Sequence, residues 1–188
     1  MTISLALDTS TSRSSVGIYN SGKEVFSAFH EGAMDHGRAL SQLVAEALRT
    51  ENVIEEVRVG MGPGPFSGLR VGIAFARTFG VARTIPVIGF CSLDAISCGG
   101  DEYIAVTDAR RKEVYWARYN NGLRVDGPHV NFPHNLPPGK YIGEGAVKYG
   151  LSDHIAFPDM AKASTLSGNV HEPLYLRRPD AVPTAERR

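Results

Sequence analysis

Two aspartates stand where chemistry is possible. Asp8 closes the apolar run ISLAL and opens the polar stretch DTSTSRSS; Asp108 closes YIAVT and opens DARRKE. A carboxylate fixed at the end of a buried strand, with hydroxyls and backbone N–H groups after it, is suited to holding a magnesium-bound nucleotide between two lobes. The same carboxylate can instead cap its own turn. The residues alone leave both uses open. The basic run Arg110, Arg111 and Lys112 after the second aspartate has two readings as well: a phosphate contact or a solvated hairpin tip.

A second candidate is the loop that opens MGPGPFSGLRVGIAFARTFG, residues 61–80. A Walker A loop needs G-x-x-x-x-G-K-[ST], and no Gly-Lys pair occurs in this one. A dinucleotide fingerprint needs G-x-G-x-x-G; Gly62 and Gly64 fit, but Ser67 takes the last position. The loop runs into a helix whose free N–H groups can receive an anion, or its Gly and Pro residues simply turn a tight corner. Nucleophiles and metal ligands fare no better. Ser67 lies in GPFSG, which is not a G-x-S-x-G elbow. No H-x-x-x-H exists, since Leu40 comes four residues after His36, and His30, His129, His134, His154 and His171 lack ligand spacing. Cys91 and Cys98 match no common zinc pattern and are expected to be reduced thiols. No complete catalytic set can be assembled and no metal site is expected.

Composition narrows the partners. Hydrophobic residues make up 43% and charged residues 21%, and 20 Lys plus Arg balance 20 Asp plus Glu. That is an ordinary soluble globular balance, with no whole-molecule field to draw in nucleic acid or a membrane. No apolar run approaches the roughly 20 residues that span a bilayer. The start, MTISLALDTS, has no basic n-region and reads as a first strand.

The elements that must position these residues follow from periodicity. Residues 3–7, 16–19 and 24–29 read as a three-strand meander. Asp35 is a suitable N-cap for a helix ending near residue 49, with Leu40, Leu43, Val44, Ala47 and Leu48 on one stripe. Strands are expected at 57–61, 87–90 and 103–106, and Ser92 can cap a short helix over 93–97. A helix over 66–82 is apolar around most of its circumference, with Arg70 and Arg77 on one narrow stripe and Gly72, Ala76 and Gly80 four apart. Such a helix is covered on more than one side, either as a central core helix or by a second polypeptide. Asp8, Tyr19, Asn20 and Gly22 recur as Asp108, Tyr119, Asn120 and Gly122, all at an offset of 100. That echo indicates a duplicated fold. Further on, residues 126–139 read as Pro-rich loop, 141–150 as a strand and a turn, and 151–171 hold no long helix. Residues 173–178 read as a terminal strand, and the last ten as disordered.

LALDTSTSRSSVGIY, the loop GPGPFSGLRVG with its helix, IPVIGFCSLDAI, VTDARRKEVYWARY and PLYLRRPDA together resemble the TsaB (YeaZ) family, which serves threonylcarbamoyladenosine formation in tRNA. The match is dense over residues 3–120 and sparse over 123–170. In the family the loop usually reads G-P-G-S-F-T-G-L-R-[IV]-G; Pro65 and Ser67 depart from it. The resemblance implies an α/β, duplicated actin-like and hexokinase-like ATPase fold. A first lobe would span 1–100 and a shortened second lobe 101–188. It implies a non-catalytic subunit without a cofactor, cytoplasmic, that binds TsaD directly and TsaE through that pair, and meets tRNA indirectly. The partner-facing residues would be Leu40, Val44, Ala47, Gly72, Phe75, Ala76 and Phe79. Asp8, Thr9, Ser10 and Asp108 would be a vestigial nucleotide or phosphate loop. A homodimer is a further expectation when TsaD is absent, and an active ATPase or sugar kinase of the same fold is the alternative function.

Overall fold

The structure, a computed structural model, describes residues 2–32, 34–100 and 102–177. Two mixed sheets carry it. The first has the order β3-β2-β1-β4-β5, from β1 (Ile3–Asp8), β2 (Arg13–Asn20), β3 (Lys23–Glu31), β4 (Glu56–Gly60) and β5 (Val87–Phe90). The meander β1–β3 is antiparallel, and β4 and β5 extend it in parallel. The helices between the parallel strands are α1 (His36–Thr50), leading into β4, and α2 (Phe66–Arg83), leading into β5. The second sheet has the order β8-β7-β6-β9, from β6 (Glu102–Asp108), β7 (Val114–Asn120), β8 (Leu123–Asn131) and β9 (Tyr141–Ile142). Two short helices follow, α3 (Glu144–Lys148) and α4 (Met160–Ala163).

The 100-residue echo is a repeated meander. Asn20 pairs with Ile3 at the start of β1, and Asn120 pairs with Glu102 at the start of β6. Each hairpin then turns through two residues of positive φ, Ser21 and Gly22 in one, Asn121 and Gly122 in the other. Two consecutive left-handed residues match the twist of the flanking strands, and Gly adopts this backbone without a steric cost. Tyr19 and Tyr119 are buried at equivalent places, and Tyr119 donates to Asp94 Oδ1 at 2.8 Å. The duplicated two-lobe plan is therefore present.

Side-chain alternation builds the core of the first half. Leu5 and Leu7 on β1 face a cluster with Leu40, Val44 and Ala47 of α1 and Leu69, Ile73 and Ala76 of α2. Ala6, between them, points to the other face, where Tyr19, Phe90, Ala95, Met160 and Ala163 gather. A strand buried on both faces reads as a continuous apolar run rather than an alternating one, which is the pattern of ISLAL.

Five local expectations change. The stretch after β9 is the helix α3 rather than a turn, and the expected helix after Ser92 is a 3-10 turn (Ser92–Ala95). Strand β8 runs to Asn131, into the Pro-rich stretch, because it is the edge of its sheet and Pro128 has no neighbour there that needs its missing N–H. Asp35 makes no side-chain cap bond; its carboxylate pairs with Arg38. Residues 173–177 form no strand: Leu174 gives one bond, N–H to Met61 O at 2.8 Å, and the segment lies over the sheet ends as a strap. The expected disorder of the last ten residues lies outside the described residues. Leu69, fully buried where α2 meets β1 and β4, tests this core. Leu69→Ala is expected to cost about 2–5 kcal/mol of unfolding free energy by urea titration, with an unchanged denaturant slope.

Candidate functional site

The turn after β1 is built from its own hydrogen bonds. Asp8 is buried, and its Oδ1 accepts from Ser10 N–H at 2.8 Å and from Ser10 Oγ–H at 2.7 Å. Its Oδ2 accepts from Ser92 Oγ–H at 2.6 Å, and Ser92 Oγ in turn accepts from Gly62 N–H at 3.1 Å. The carboxylate thus bolts the end of β1 to the start of the quoted loop and to the 3-10 turn after β5. Gly60 makes this possible, because a Cβ there would lie 1.8 Å from Asp8 Oδ2. Desolvation raises the Asp8 pKa from 3.8, and the hydrogen bonds from Ser92 and Ser10 oppose it.

Thr9 performs the same task for α2. Its Oγ–H donates to Gly68 O at 2.8 Å and its Oγ accepts from Gly72 N–H at 3.2 Å. Added Cβ atoms would meet Ser10 O at 2.5 Å from Gly64, Thr9 O at 2.6 Å from Gly68 and Thr9 Oγ1 at 2.5 Å from Gly72. The Gly-Pro loop and the first turns of α2 are therefore pressed onto the β1–β2 turn. The loop's glycines serve this close approach of backbone to backbone.

The second aspartate is engaged too. Asp108 Oδ2 pairs with Lys148 Nζ at 2.6 Å, and Oδ1 accepts from Tyr149 Oη–H and Arg110 N–H, both at 3.1 Å. Lys148 has its pKa raised, chiefly by the bond to Asp108. Asp108 and Lys148 line a cleft of about 390 Å³ between the two sheets, with Thr11, Ser12, Arg110 and Glu144. Asp8, Thr9 and Ser10 do not line it. The structure thus separates the four candidate nucleotide residues: three are internal bolts, and one faces the cleft. Among the described residues, no group of three or more His, Cys, Asp or Glu could hold a metal ion.

The expected partner face needs correction. Leu40, Val44 and Ala47 are buried on the side of α1 that packs on β2, and Gly72 and Ala76 are buried on the side of α2 that meets β1 and β4. These five serve the chain's own core, because the sheet is what covers the apolar stripe of each helix. Phe75 and Phe79 are only partly buried, with their rings stacked 5.8 Å apart. The stripe of α2 that remains open runs through Arg70, Ala74, Arg77, Thr78 and Val81, and Val81 is 82% exposed. Phe66, at the start of the helix, is 49% exposed and lies 5.1 Å from the Tyr175 ring of the strap. Ala74, Val81 and Phe66 were not among the expected residues. Arg70 and Arg77 marked their stripe, since two cations one helical face apart identify the side turned to water.

The chain thus belongs by architecture to the duplicated α/β proteins with two linked sheets. Residues 30–172 match the model of the family described as TsaD: tRNA N6-adenosine threonylcarbamoyltransferase. An uncharacterized protein of Mycobacterium tuberculosis is 43% identical over 76% of this chain and 73% of its own length. One from Mycobacterium leprae is 40% identical over 97% of this chain and 57% of its own length. The tRNA threonylcarbamoyladenosine biosynthesis protein TsaB of Escherichia coli is 33% identical over 63% of this chain. The match spans 57% of that protein's length. A Pseudomonas aeruginosa structure described as similar to peptidase YEAZ superposes with a TM-score of 0.79 at 23% identity, covering 94% of this chain and 100% of that one. The chain belongs to the TsaD family and stands with its TsaB (YeaZ) members.

The raised Asp8 pKa gives this site a pH signature. Stability contributed by protonated Asp8 is complete below the unfolded value near 3.8 and is lost as pH rises through the higher folded value. Asp8→Asn keeps an acceptor for Ser10 and removes the charge. The unfolding free energy of the wild type minus that of Asp8→Asn is therefore expected to fall as pH rises above about 4. Urea titrations of both proteins between acid and neutral pH check this; a flat difference contradicts it.

Proposed function

We propose that the chain is a non-catalytic accessory subunit in threonylcarbamoyladenosine formation on tRNA, acting in the cytoplasm by binding TsaD. Family membership supports the pathway, and the name borne by the E. coli relative is that of a biosynthesis protein of this nucleoside. The observation that carries the docking role is the open stripe of α2. Its inner face is core, with Phe75 and Phe79 partly buried at the margin, while Phe66, Ala74 and Val81 are exposed on the outer stripe beside Arg70 and Arg77. Exposed apolar area rimmed by charge is characteristic of a protein interface. TsaE then joins the pair, and tRNA is met only through the assembly. When TsaD is absent, the same stripe pairs with its own copy about a two-fold axis.

The accessory role is supported by the engagement of both aspartates. Asp8 gives both carboxylate oxygens to Ser10 and Ser92, and Asp108 gives both to Lys148, Tyr149 and the Arg110 amide. A magnesium-bound nucleotide would have to displace these bonds, so the ATPase or kinase alternative has no support in the site.

Ala74→Arg and Val81→Asp alter only exposed positions of α2. Each is expected to weaken binding to purified TsaD by about 30-fold or more in calorimetry, the loss of a hot-spot contact, with the melting temperature within a few degrees of wild type. Unchanged affinity in both folded variants removes this face from the interface.

A further inference from the structure

The β1–β2 turn holds many donors, and the chain uses them itself. Thr9 Oγ–H goes to Gly68 O, Ser10 N–H and Oγ–H to Asp8, and Thr11 Oγ–H to Arg13 O. Ser12 alone reaches across to the second sheet. Its N–H donates to Glu144 at 3.1 Å to Oε2 and 3.3 Å to Oε1, and its Oγ–H donates to Oε2. One carboxylate thus receives an amide and a hydroxyl from a single residue, the same pair of donors that a turn offers to a phosphate group.

The backbone that presents Glu144 is rigidly placed. It opens α3, which packs on β6. An added Cβ would meet Val106 O at 2.3 Å from Gly143 and the Thr107 carbonyl carbon at 2.7 Å from Gly145. Ala146 is fully buried in the cluster with Ile104 and Val106. The backbone of Glu144 and its helix cannot shift without lifting off the second sheet. The other charges of the cleft are paired: Glu31 with Arg13 at 2.7 Å, Asp108 with Lys148 at 2.6 Å. Arg110 stands at the same cleft with only a long contact, 3.9 Å, from its Nε to Asp108.

We propose that Glu144 is a built-in ligand. Its carboxylate occupies an anion subsite made by the Ser12 N–H and Oγ–H, and by occupying it latches the second sheet to the β1–β2 turn of the first. The class of ligand that this subsite takes when Glu144 is removed is a small oxyanion of the phosphate type, with Arg110 supplying the facing charge. The latch is independent of the proposed TsaD interface, and its test uses the isolated chain, so failure of one leaves the other untouched.

The test is amide hydrogen exchange at Ser12, with and without millimolar inorganic pyrophosphate, in the wild type, Glu144→Ala and Glu144→Gln. In the wild type the Ser12 amide is expected to be protected and indifferent to pyrophosphate. In Glu144→Ala it is expected to exchange about tenfold faster, the loss of a charge-assisted bond, and pyrophosphate is expected to slow it again. Glu144→Gln keeps an acceptor without the charge and is expected to fall between the two; if the Ala variant does not fold, faster exchange in the Gln variant that pyrophosphate reverses carries the same support. Wild-type exchange slowed by pyrophosphate overturns the proposal. So does a substituted protein that exchanges like wild type, or one that loosens and ignores pyrophosphate.

Discussion

The contact on which the molecule depends is the approach of α2 to the turn that follows β1. Gly64, Gly68 and Gly72 each stand where one further carbon would collide with Thr9 or Ser10. Thr9 then threads its hydroxyl between Gly68 O and Gly72 N–H. A helix N-terminus has N–H groups without intrahelical partners, and in phosphate-binding folds an anion supplies them. Here the neighbouring turn presses on the side of this helix that carries Gly68 and Gly72, and on Gly64 before it. The same approach fixes the rotation of α2: once Gly68, Gly72, Ala76 and Gly80 face inward, Arg70, Ala74, Arg77 and Val81 must face out. The inner bolt and the outer face are two consequences of one glycine-lined stripe.

The duplication shows what the second copy kept and what it changed. Both meanders share the two-residue hairpin, the buried Tyr and the strand-end aspartate. In the first copy the aspartate is closed over by Ser10 and Ser92 and is desolvated. In the second it is met by a lysine, and that pairing leaves it at the edge of the cleft. A buried carboxylate held by neutral donors and one held by a cation differ in what each costs the fold. The first favours protonation, while the second is an ion pair in which each charge lowers the burden of the other. The second half also presses a helix onto its sheet through glycines, Gly143 and Gly145 on β6, in the way that Gly68 and Gly72 do in the first. Two related lobes reuse one device, close glycine packing of a helix on a strand-end turn.

Much of this was legible in the sequence, for identifiable reasons. The repeat at an offset of 100 was visible because Asp, Asn and Gly at strand ends and turns are set by backbone geometry, which few other residues satisfy. β1 to β5 and the two long helices follow from apolar periodicity, and their boundaries came out within a few residues. The partner face was misread on five residues because a stripe of apolar and small residues looks the same whether a sheet or a second protein covers it. Leu40, Val44, Ala47, Gly72 and Ala76 are covered by a sheet. The arginines at 70 and 77 carried the deciding information, and they lie on the other side. Glu144 had no legible role at all. Its contact with Ser12 spans 132 positions of sequence, and nothing in EGAVK distinguishes a latch from an ordinary solvated glutamate.

Zero net charge, 20 against 20, acquires meaning once these contacts are placed. Several charges are spent in pairs: Arg13 with Glu31 across β2 and β3, Lys148 with Asp108 at the cleft, and Arg177 with Glu113 of the β6–β7 hairpin at 2.6 Å. Arg177 belongs to the strap, and its guanidinium also donates to Ala109 O at 3.1 Å, beside the second aspartate. The strap meanwhile bonds Met61 at the root of the quoted loop and sets Tyr175 against Phe66. A single extended segment therefore touches the loop, the first residue of α2 and the β6–β7 hairpin. Together with the hydrogen bonds of Ser12 to Glu144, it joins the lobes at two separate places. A docking face gains affinity when its geometry is set before the partner arrives, since less ordering remains to be done on binding. The accessory role proposed above is served by that rigidity, and the internal bonding of both strand-end aspartates is part of its physical form.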